Sequence, residues 1–183
     1  DRAMSGVIGM AGETDRFTFG VEAGQLITVL VDPDPGLQPT IQLQGPSGAA
    51  LGTASSGGVG QDVFLQTVRA PDPGTYTLTV GATAGTLGGY EGQVVLNAAL
   101  EEEGQGGSPN DDLATAQGLD PVSITLQGTG DRLAVGGTGE GGSDYYSFTL
   151  AAGVSASLGV RALDGLEVGL SLYDGAGTLL ALG

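Results

Sequence analysis

The side chains that can do chemistry on this chain are almost all oxygen ligands, because the sequence contains no histidine, cysteine or lysine. A Ser-His-Asp triad, a thiolate nucleophile and a zinc site with nitrogen or sulfur ligands are therefore excluded. Carboxylates, hydroxyls and backbone carbonyls remain, and these groups coordinate hard cations such as calcium. The 21 acidic residues thus favour cation binding over covalent catalysis.

Two acidic runs have simpler interpretations than a binding site. Asp32 and Asp34 alternate with Pro33 and Pro35, which is typical of a turn. The glutamates at 101–103 begin a glycine-rich stretch that indicates a solvated linker. A glycosidase needs two carboxylates that face each other across a cleft, and no pair stands out in this sequence. We therefore expect no enzymatic activity.

The net charge of −16 limits the partners that this chain can have. Nucleic acid is not expected, because neutralising its phosphates requires a cationic surface. Anionic membrane surfaces are disfavoured for the same reason. No apolar run approaches the roughly 20 residues that a membrane span needs, so we expect no membrane insertion.

The elements that must position these carboxylates are predicted to be short β-strands. Apolar residues alternate with polar ones in brief runs, and 36 glycines and 8 prolines separate those runs. Strands are predicted at 16–19, 25–31, 40–44, 63–68, 75–80 and 89–96, and again at 122–127, 132–135, 145–150, 155–160, 168–173 and 178–181. In the clearest of them, Tyr76, Leu78 and Val80 are predicted to face the core. No convincing helix is predicted, and the nearest candidate is 111–117, with Asn110 as its N-cap.

The chain repeats itself at a constant offset of 129 residues. Residues 15–54 align without a gap with 144–183, and ten positions are identical, among them Asp15 with Asp144 and Phe19 with Phe148. We therefore predict two copies of one domain. The predicted boundaries are 1–99 for the first repeat, 100–108 for an acidic, glycine-rich linker, and 109–183 for the second repeat.

Five segments of the chain resemble the bacterial pre-peptidase C-terminal domain. They are 73–80, 89–96, 108–116, 142–153 and 172–177. The run Asp144-Tyr145-Tyr146, with its alternating strand and glycine turn, resembles the family signature. Residues 108–112 resemble its opening motif, although Ser108 stands where the family usually has a glutamate.

The resemblance implies an all-β fold of tandem jelly-roll-like antiparallel β-sandwich domains, secreted and located outside the cell or at its surface. Members of this family are generally non-catalytic, are related to the collagen-binding domains of bacterial collagenases, and in some cases bind calcium near the opening motif. Carried over to this chain, the implied calcium ligands are Asn110, Asp111, Asp112 and Asp144. Glu103 replaces the missing carboxylate only if the linker folds back. The alternative is that 110–112 cap a turn and that Asp144 begins a strand.

Exposed tyrosines are the remaining candidates for recognition. Tyr145 and Tyr173 are candidate ligand-binding residues, because a tyrosine offers a sugar or a protein an apolar face with a polar tip. The alternative for Tyr145 is a purely structural position, opposite a core formed by Tyr146 and Phe148. Tyr173 is out of phase with Leu170 and Leu172, so we expect it to face away from the core.

The alignment of the repeats also predicts that the second sandwich is incomplete. The first repeat continues through three strands after residue 54, and the chain stops at the equivalent position of the second. Our leading prediction is a segment of an extracellular repeat array or accessory region, with neighbouring repeats, a polysaccharide or an extracellular protein as partners. The alternatives are a filament or surface-layer subunit in which another copy of the chain supplies the missing strands, and a binding domain of a secreted hydrolase.

Overall fold

The fold of the chain is given by a computed structural model that describes residues 2–126, 130–137, 142–163, 165 and 167–183. It divides the chain into two compact units, 1–147 and 148–183. The described residues form β-strands and two short 3-10 turns, without an α-helix. No helix among them has the length and hydropathy that crossing a membrane requires.

The first unit begins with eight strands that form a β-sandwich. They are β1 (Arg2–Ile8), β2 (Asp15–Val21), β3 (Leu26–Pro33), β4 (Pro39–Gln44), β5 (Ala50–Ser55), β6 (Val63–Arg69), β7 (Gly74–Ala82) and β8 (Gly88–Leu96). One sheet has the order β1-β8-β3-β6 and the other β2-β7-β4-β5, and every neighbouring pair is antiparallel. The predicted all-β, antiparallel sandwich is confirmed.

The core lies between these two sheets. Period-2 alternation places Tyr76, Leu78 and Val80 of β7 on one face, and all three are fully buried, as predicted. They pack with Val29 and Val31 of β3 in the opposite sheet. Strand β7 is bonded on both sides, by β2 and β4, so it forms the centre of its sheet.

Residues 99–147 add short elements and a second, smaller core. The elements are β9 (Ala99–Leu100), a 3-10 turn (Glu103–Gln105), β10 (Gln117–Gly118), a second 3-10 turn (Asp120–Val122), β11 (Ile124–Leu126), β12 (Gly130–Arg132), β13 (Val135–Gly136) and β14 (Tyr146–Ser147). The core joins Leu26 of β3 to Ala99, Leu119 and Val122. Arg69 connects the same two parts, since it donates to the carbonyls of Gly24 and Ser123. The predicted strand 122–127 is shorter here, and its last residue, Gln127, lies outside the described residues.

The described residues of the second unit form one hairpin, of β15 (Ser171–Tyr173) and β16 (Leu179–Leu182). Asp174 stabilises its turn, because its Oδ1 accepts from the N–H groups of Ala176 and Thr178. Residues 155–160, predicted as a strand, form none. The equivalent strand of the first repeat, β3, is bonded by β8 and β6 on its two sides, whereas no strand among the described residues pairs with 155–160. A strand is stable only when neighbours satisfy its backbone groups.

Candidate functional site

The candidate site lies where residues 101–107 fold back on themselves. The 3-10 turn ends at Gly106, whose φ of 77° is left-handed and suits glycine. The N–H of Gly107 then donates to the Glu102 carbonyl at 2.8 Å. This reversal lets Glu103 Oε2 accept from the backbone N–H of Asn110 at 3.3 Å. The linker therefore folds back, as the sequence analysis required if Glu103 is to replace the missing carboxylate of the opening motif.

A buried carboxylate lies at the centre of the site. Glu101 is only 6% exposed, and its Oε1 accepts from the Tyr146 hydroxyl at 2.7 Å and from Asn110 Nδ2 at 3.4 Å. Burial, followed by the hydrogen bond to Glu101, raises the pKa of Tyr146, while the Asn110 amide opposes the rise. Tyr146 therefore remains a neutral hydroxyl donor at physiological pH. Such donors are what a buried carboxylate requires.

Asn110 is the most buried polar residue of this group, with an exposed fraction of 2%. Its Nδ2 also donates to the carbonyl of Tyr145 at 3.2 Å, so both amide hydrogens have acceptors. Its Oδ1 is buried and accepts no hydrogen bond from the part of the chain that the structure describes. A buried acceptor left unsatisfied costs about 1–3 kcal/mol, so this atom has a free-energy reason to take a ligand.

Further carboxylates surround this buried centre. Partial desolvation raises the pKa of Asp144, an exposed residue, and the charges of Glu101, Glu103 and Asp111 raise it further. The electrostatic field of these carboxylates therefore acts on Asp144. We call Glu101, Glu103, Asn110, Asp111 and Asp144 the Asn110 cluster. As they stand, no three carboxylates of the described residues are close enough together to hold a metal ion.

Asp112 is placed differently from its two predecessors. Its Oδ1 accepts from the N–H of Ala114 at 2.8 Å and from the N–H and hydroxyl of Thr115 at 2.9 and 3.0 Å. The bonds from Thr115 and then from Ala114 lower the pKa of Asp112. Its carboxylate therefore caps a local turn, which was the alternative considered for this segment.

Sequence reasoning assigned Glu101 to a solvated linker, whereas the structure buries it. The available signal was the apolar pair Ala99-Leu100 directly before it, which forms β9 and pairs with β13. Leu100 is also tied to β6, since its N–H donates to Gln66 Oε1 at 2.8 Å. Because β9 is held by these contacts, the residue that directly follows it, Glu101, is buried as well.

The first repeat uses the equivalent aspartate in another way. Asp15 Oδ2 accepts from the hydroxyl of Tyr90 at 2.7 Å, and Tyr90 lies edge-on to Phe17. Burial and the bond to Asp15 raise the pKa of Tyr90. Asp15 thus joins β2 to β8 across the two sheets, and its carboxylate has a structural partner.

The two tyrosines proposed for recognition are both half-buried. The backbone of Tyr145 connects two segments, because its N–H donates to the Asn110 carbonyl and its carbonyl accepts from Gln117 N–H. Tyr173 ends β15 and lies opposite Leu179. They belong to different units, Tyr145 to 1–147 and Tyr173 to 148–183. Their role in ligand binding stays a prediction.

Comparison with known proteins gives similarity in structure only. No protein-family model and no curated protein matches the chain. Among solved structures, the pre-peptidase C-terminal domain of a collagenase from Bacillus anthracis is 24% identical, with a TM-score of 0.44, over 51% of this chain and 88% of that one. A periplasmic inhibitor of g-type lysozyme from Aeromonas hydrophila is 20% identical, with a TM-score of 0.40, over 52% of this chain and 84% of that one.

Proposed function

We propose that this chain is a non-catalytic β-sandwich module of the pre-peptidase C-terminal type, working outside the cell and stabilised by calcium at the Asn110 cluster. In this proposal the module is a structural or binding part of a secreted protein, within a repeat array or an accessory region. It contributes a folded surface and no reaction of its own.

The observation that carries the proposal is the buried, unsatisfied Oδ1 of Asn110 beside the buried carboxylate of Glu101. Burying a carboxylate and an amide oxygen together is unfavourable unless hydrogen-bond donors or a cation compensate. The Tyr146 hydroxyl and Asn110 Nδ2 donate to Glu101, whereas no donor among the described residues reaches Asn110 Oδ1. A cation bound here supplies the missing positive charge to both oxygens.

The donor set fits calcium. Calcium takes about six to eight oxygen ligands from carboxylates, amide oxygens, carbonyls and water, in flexible geometry. Asn110 and Glu101 are fixed by burial, whereas Glu103, Asp111 and Asp144 are exposed and can change rotamer. We propose that these three carboxylates close on an ion held by the buried pair. A bound cation would also relieve the repulsion among these carboxylates, which contributes to the raised pKa of Asp144.

Thermal unfolding with calcium and with a chelator tests this proposal. At about a hundredfold excess of calcium over its dissociation constant, binding stabilises the folded state by about 2.7 kcal/mol. For a chain of this length, that corresponds to a rise in Tm of about 5–10 °C. Magnesium, which demands octahedral geometry and dehydrates reluctantly, should raise the Tm less.

Matched variants locate the effect. Asp144→Asn removes one carboxylate from the Asn110 cluster and should abolish most of the calcium-dependent rise in Tm. Asp72→Asn makes the same change on an exposed loop and should leave the rise intact. Identical melts in calcium and chelator would refute calcium binding, and an equal loss in both variants would show a general charge effect.

A second candidate function, assembly with other chains by strand complementation, is favoured by the apolar surface of 148–183. Val21, Val29 and Val31 are buried in the first repeat, and their equivalents Leu150, Leu158 and Val160 are exposed. Strands of the β6–β8 type cover these positions in the first repeat. We propose that strands of the same type, from a neighbouring repeat or another copy of the chain, cover them in the second.

The mass of the isolated chain in solution tests this second candidate. Light scattering over a dilution series should show association, and association should strengthen with salt, because salt screens repulsion between chains of charge −16. Leu158→Asp should weaken association, while Val59→Asp, an exposed apolar position of the first unit, should not. A folded monomer at all concentrations would exclude assembly between copies.

A further inference from the structure

A cavity in the first unit has the features of a ligand site that is separate from the Asn110 cluster. Its volume is about 380 Å³, and its walls come from β6, the glycine turn at 105–107 and the segment 118–122. Phe64 and Gln66, two residues apart on β6, supply one wall. Glu102 and Gln105 supply the other. This volume accommodates one large side chain or a small molecule.

The backbone donors of the glycine turn, and one side-chain donor of β6, are used within the chain. The N–H of Gly106 donates to the Glu103 carbonyl, and that of Gly107 donates to the Glu102 carbonyl. Gln66 Nε2 donates to Glu102 Oε1 at 3.0 Å. The backbone N–H groups of Gly106 and Gly107 are therefore not free to bind a ligand.

The acceptors in the wall have capacity to spare. Gln105 Oε1 is buried and has no hydrogen-bond partner within the described ranges. The exposed carboxylate of Glu102 receives the bond from Gln66, and a carboxylate can accept about four hydrogen bonds. The backbone of Glu102 is held in place, because its N–H donates to Gln117 Oε1 at 3.1 Å. The cavity thus pairs surplus acceptors with a negative charge.

Backbone strain is also concentrated in this wall. Thr67 has a φ of 59°, a left-handed value that is rare for a β-branched residue. It lies at a β-bulge, where the β3–β6 register shifts between Ile27 and Val29, and its N–H donates to Thr28 Oγ1 at 3.4 Å. β-Bulges are over-represented at sheet edges, where β6 lies, and next to active sites, and strained residues cluster at active sites and ligand clamps.

We propose that this cavity receives a cationic side chain, best an arginine guanidinium, presented by a partner polypeptide. A guanidinium has five donors and no acceptor, which matches a wall of unused acceptors. Its planar face can stack on the ring of Phe64 while its edge reaches Glu102. A neutral sugar needs donors from the protein as well as acceptors, and the N–H groups of the glycine turn and Gln66 Nε2 already donate within the chain. The net charge of −16 attracts basic segments to this surface.

A titration followed by NMR tests the proposal with defined probes in the presence of chelator. N-acetyl-arginine amide is added to the isotope-labelled chain, and its neutral isostere, N-acetyl-citrulline amide, is the control ligand. We expect saturable shifts at the amides of Thr67, Gln105 and Gly107, with a dissociation constant in the millimolar range. Citrulline should bind at least about fivefold more weakly.

Variants separate the cavity from general charge attraction. Glu102→Gln should weaken arginine binding at least about fivefold, while Glu22→Gln, the same change on an exposed loop, should alter it less than about twofold. Phe64→Leu keeps an apolar wall, removes the aromatic face and should also weaken binding. Chelator is present throughout, so binding here does not depend on calcium at the Asn110 cluster.

Several results would overturn the inference. Equal binding of the arginine and citrulline probes would show that the positive charge of the ligand does not contribute to binding. Equal loss in Glu102→Gln and Glu22→Gln would reduce the effect to long-range attraction. Stronger shifts of the same amides by methyl glucoside would assign the cavity to a neutral saccharide, and a folded chain without saturable shifts would show that the cavity binds neither.

Discussion

Removing the hydroxyl of Tyr146 is the sharpest perturbation of the Asn110 cluster, because it removes one donor and almost no volume. In Tyr146→Phe, Glu101 keeps its buried position and loses the 2.7 Å bond to Oε1. A hydrogen bond to a charged group contributes about 1.5–3 kcal/mol, and the bond that Asn110 Nδ2 donates to Glu101 is long, at 3.4 Å. We expect the free energy of unfolding to fall by about 2 kcal/mol. For a chain of this length the Tm should fall by about 4–8 °C.

The assay is urea unfolding in chelator at pH 7, followed by circular dichroism and by tyrosine fluorescence. Thr125→Val is the matched control, since it also removes a bond from a hydroxyl to a carboxylate, that of Asp131 at 2.8 Å, but on the exposed surface. It should change stability far less, because water replaces a lost partner there. In the double variant with Glu101→Gln, the loss caused by Tyr146→Phe should shrink, because the two side chains interact directly.

Two results would refute this reasoning. If Tyr146→Phe and Thr125→Val have the same small effect, Glu101 is solvated in solution and is not a buried charge. If the effects of Tyr146→Phe and Glu101→Gln add without coupling, the hydroxyl stabilises the fold by some route other than Glu101.

Two further predictions concern the first sandwich. Burial, the charge of Asp32 and a hydrogen bond to Asp32 raise the pKa of Asp62, so the native state binds this proton more tightly and stability falls as pH rises through the raised pKa. Asp62→Asn should therefore be more stable than the parent in urea melts at pH 7, and the difference should vanish below the ordinary aspartate pKa. A gain in stability that persists in acid would contradict this cause. A Cβ on Gly6 would collide with Asp15 Oδ2 and the Tyr90 hydroxyl, so Gly6→Ala should lower the free energy of unfolding by about 2 kcal/mol or more in the same assay. A Cβ on Gly20 of β2 would meet open space, so Gly20→Ala should change stability by less than about 0.5 kcal/mol. Equal effects would show that Asp15 and Tyr90 move aside at little cost.

Strands with an apolar sequence pattern were predictable, and two edge strands without one were not. The pattern Tyr76, Leu78, Val80 predicted β7 because each apolar side chain must face the same sheet surface. Strands β1 and β5 were not predicted, since each consists mostly of small or polar residues and is largely exposed. Both lie at sheet edges, where pairing with a neighbour decides the conformation and side-chain pattern contributes little.

The candidate site was predictable only in part. The opening motif indicated Asn110 and Asp111, and the family signature indicated Asp144. The structure places Asn110 against Glu101 and Glu103. The capping role of Asp112 was the alternative that the sequence offered, because it depends on bonds to residues two and three positions along the chain. The burial of Glu101 was missed, because it depends on contacts between distant segments.

The sequence by itself determined the chemistry and the class of fold. With no histidine, cysteine or lysine, only oxygen ligands and five arginines remain, and the alternating runs specify strands, because side-chain period is a local property of the backbone. Only the tertiary structure decided which side-chain oxygen atoms are buried away from water. Glu101 and Asn110 are buried because 99–147 packs on Leu26 of the first sandwich, and that contact joins residues that are far apart in the chain.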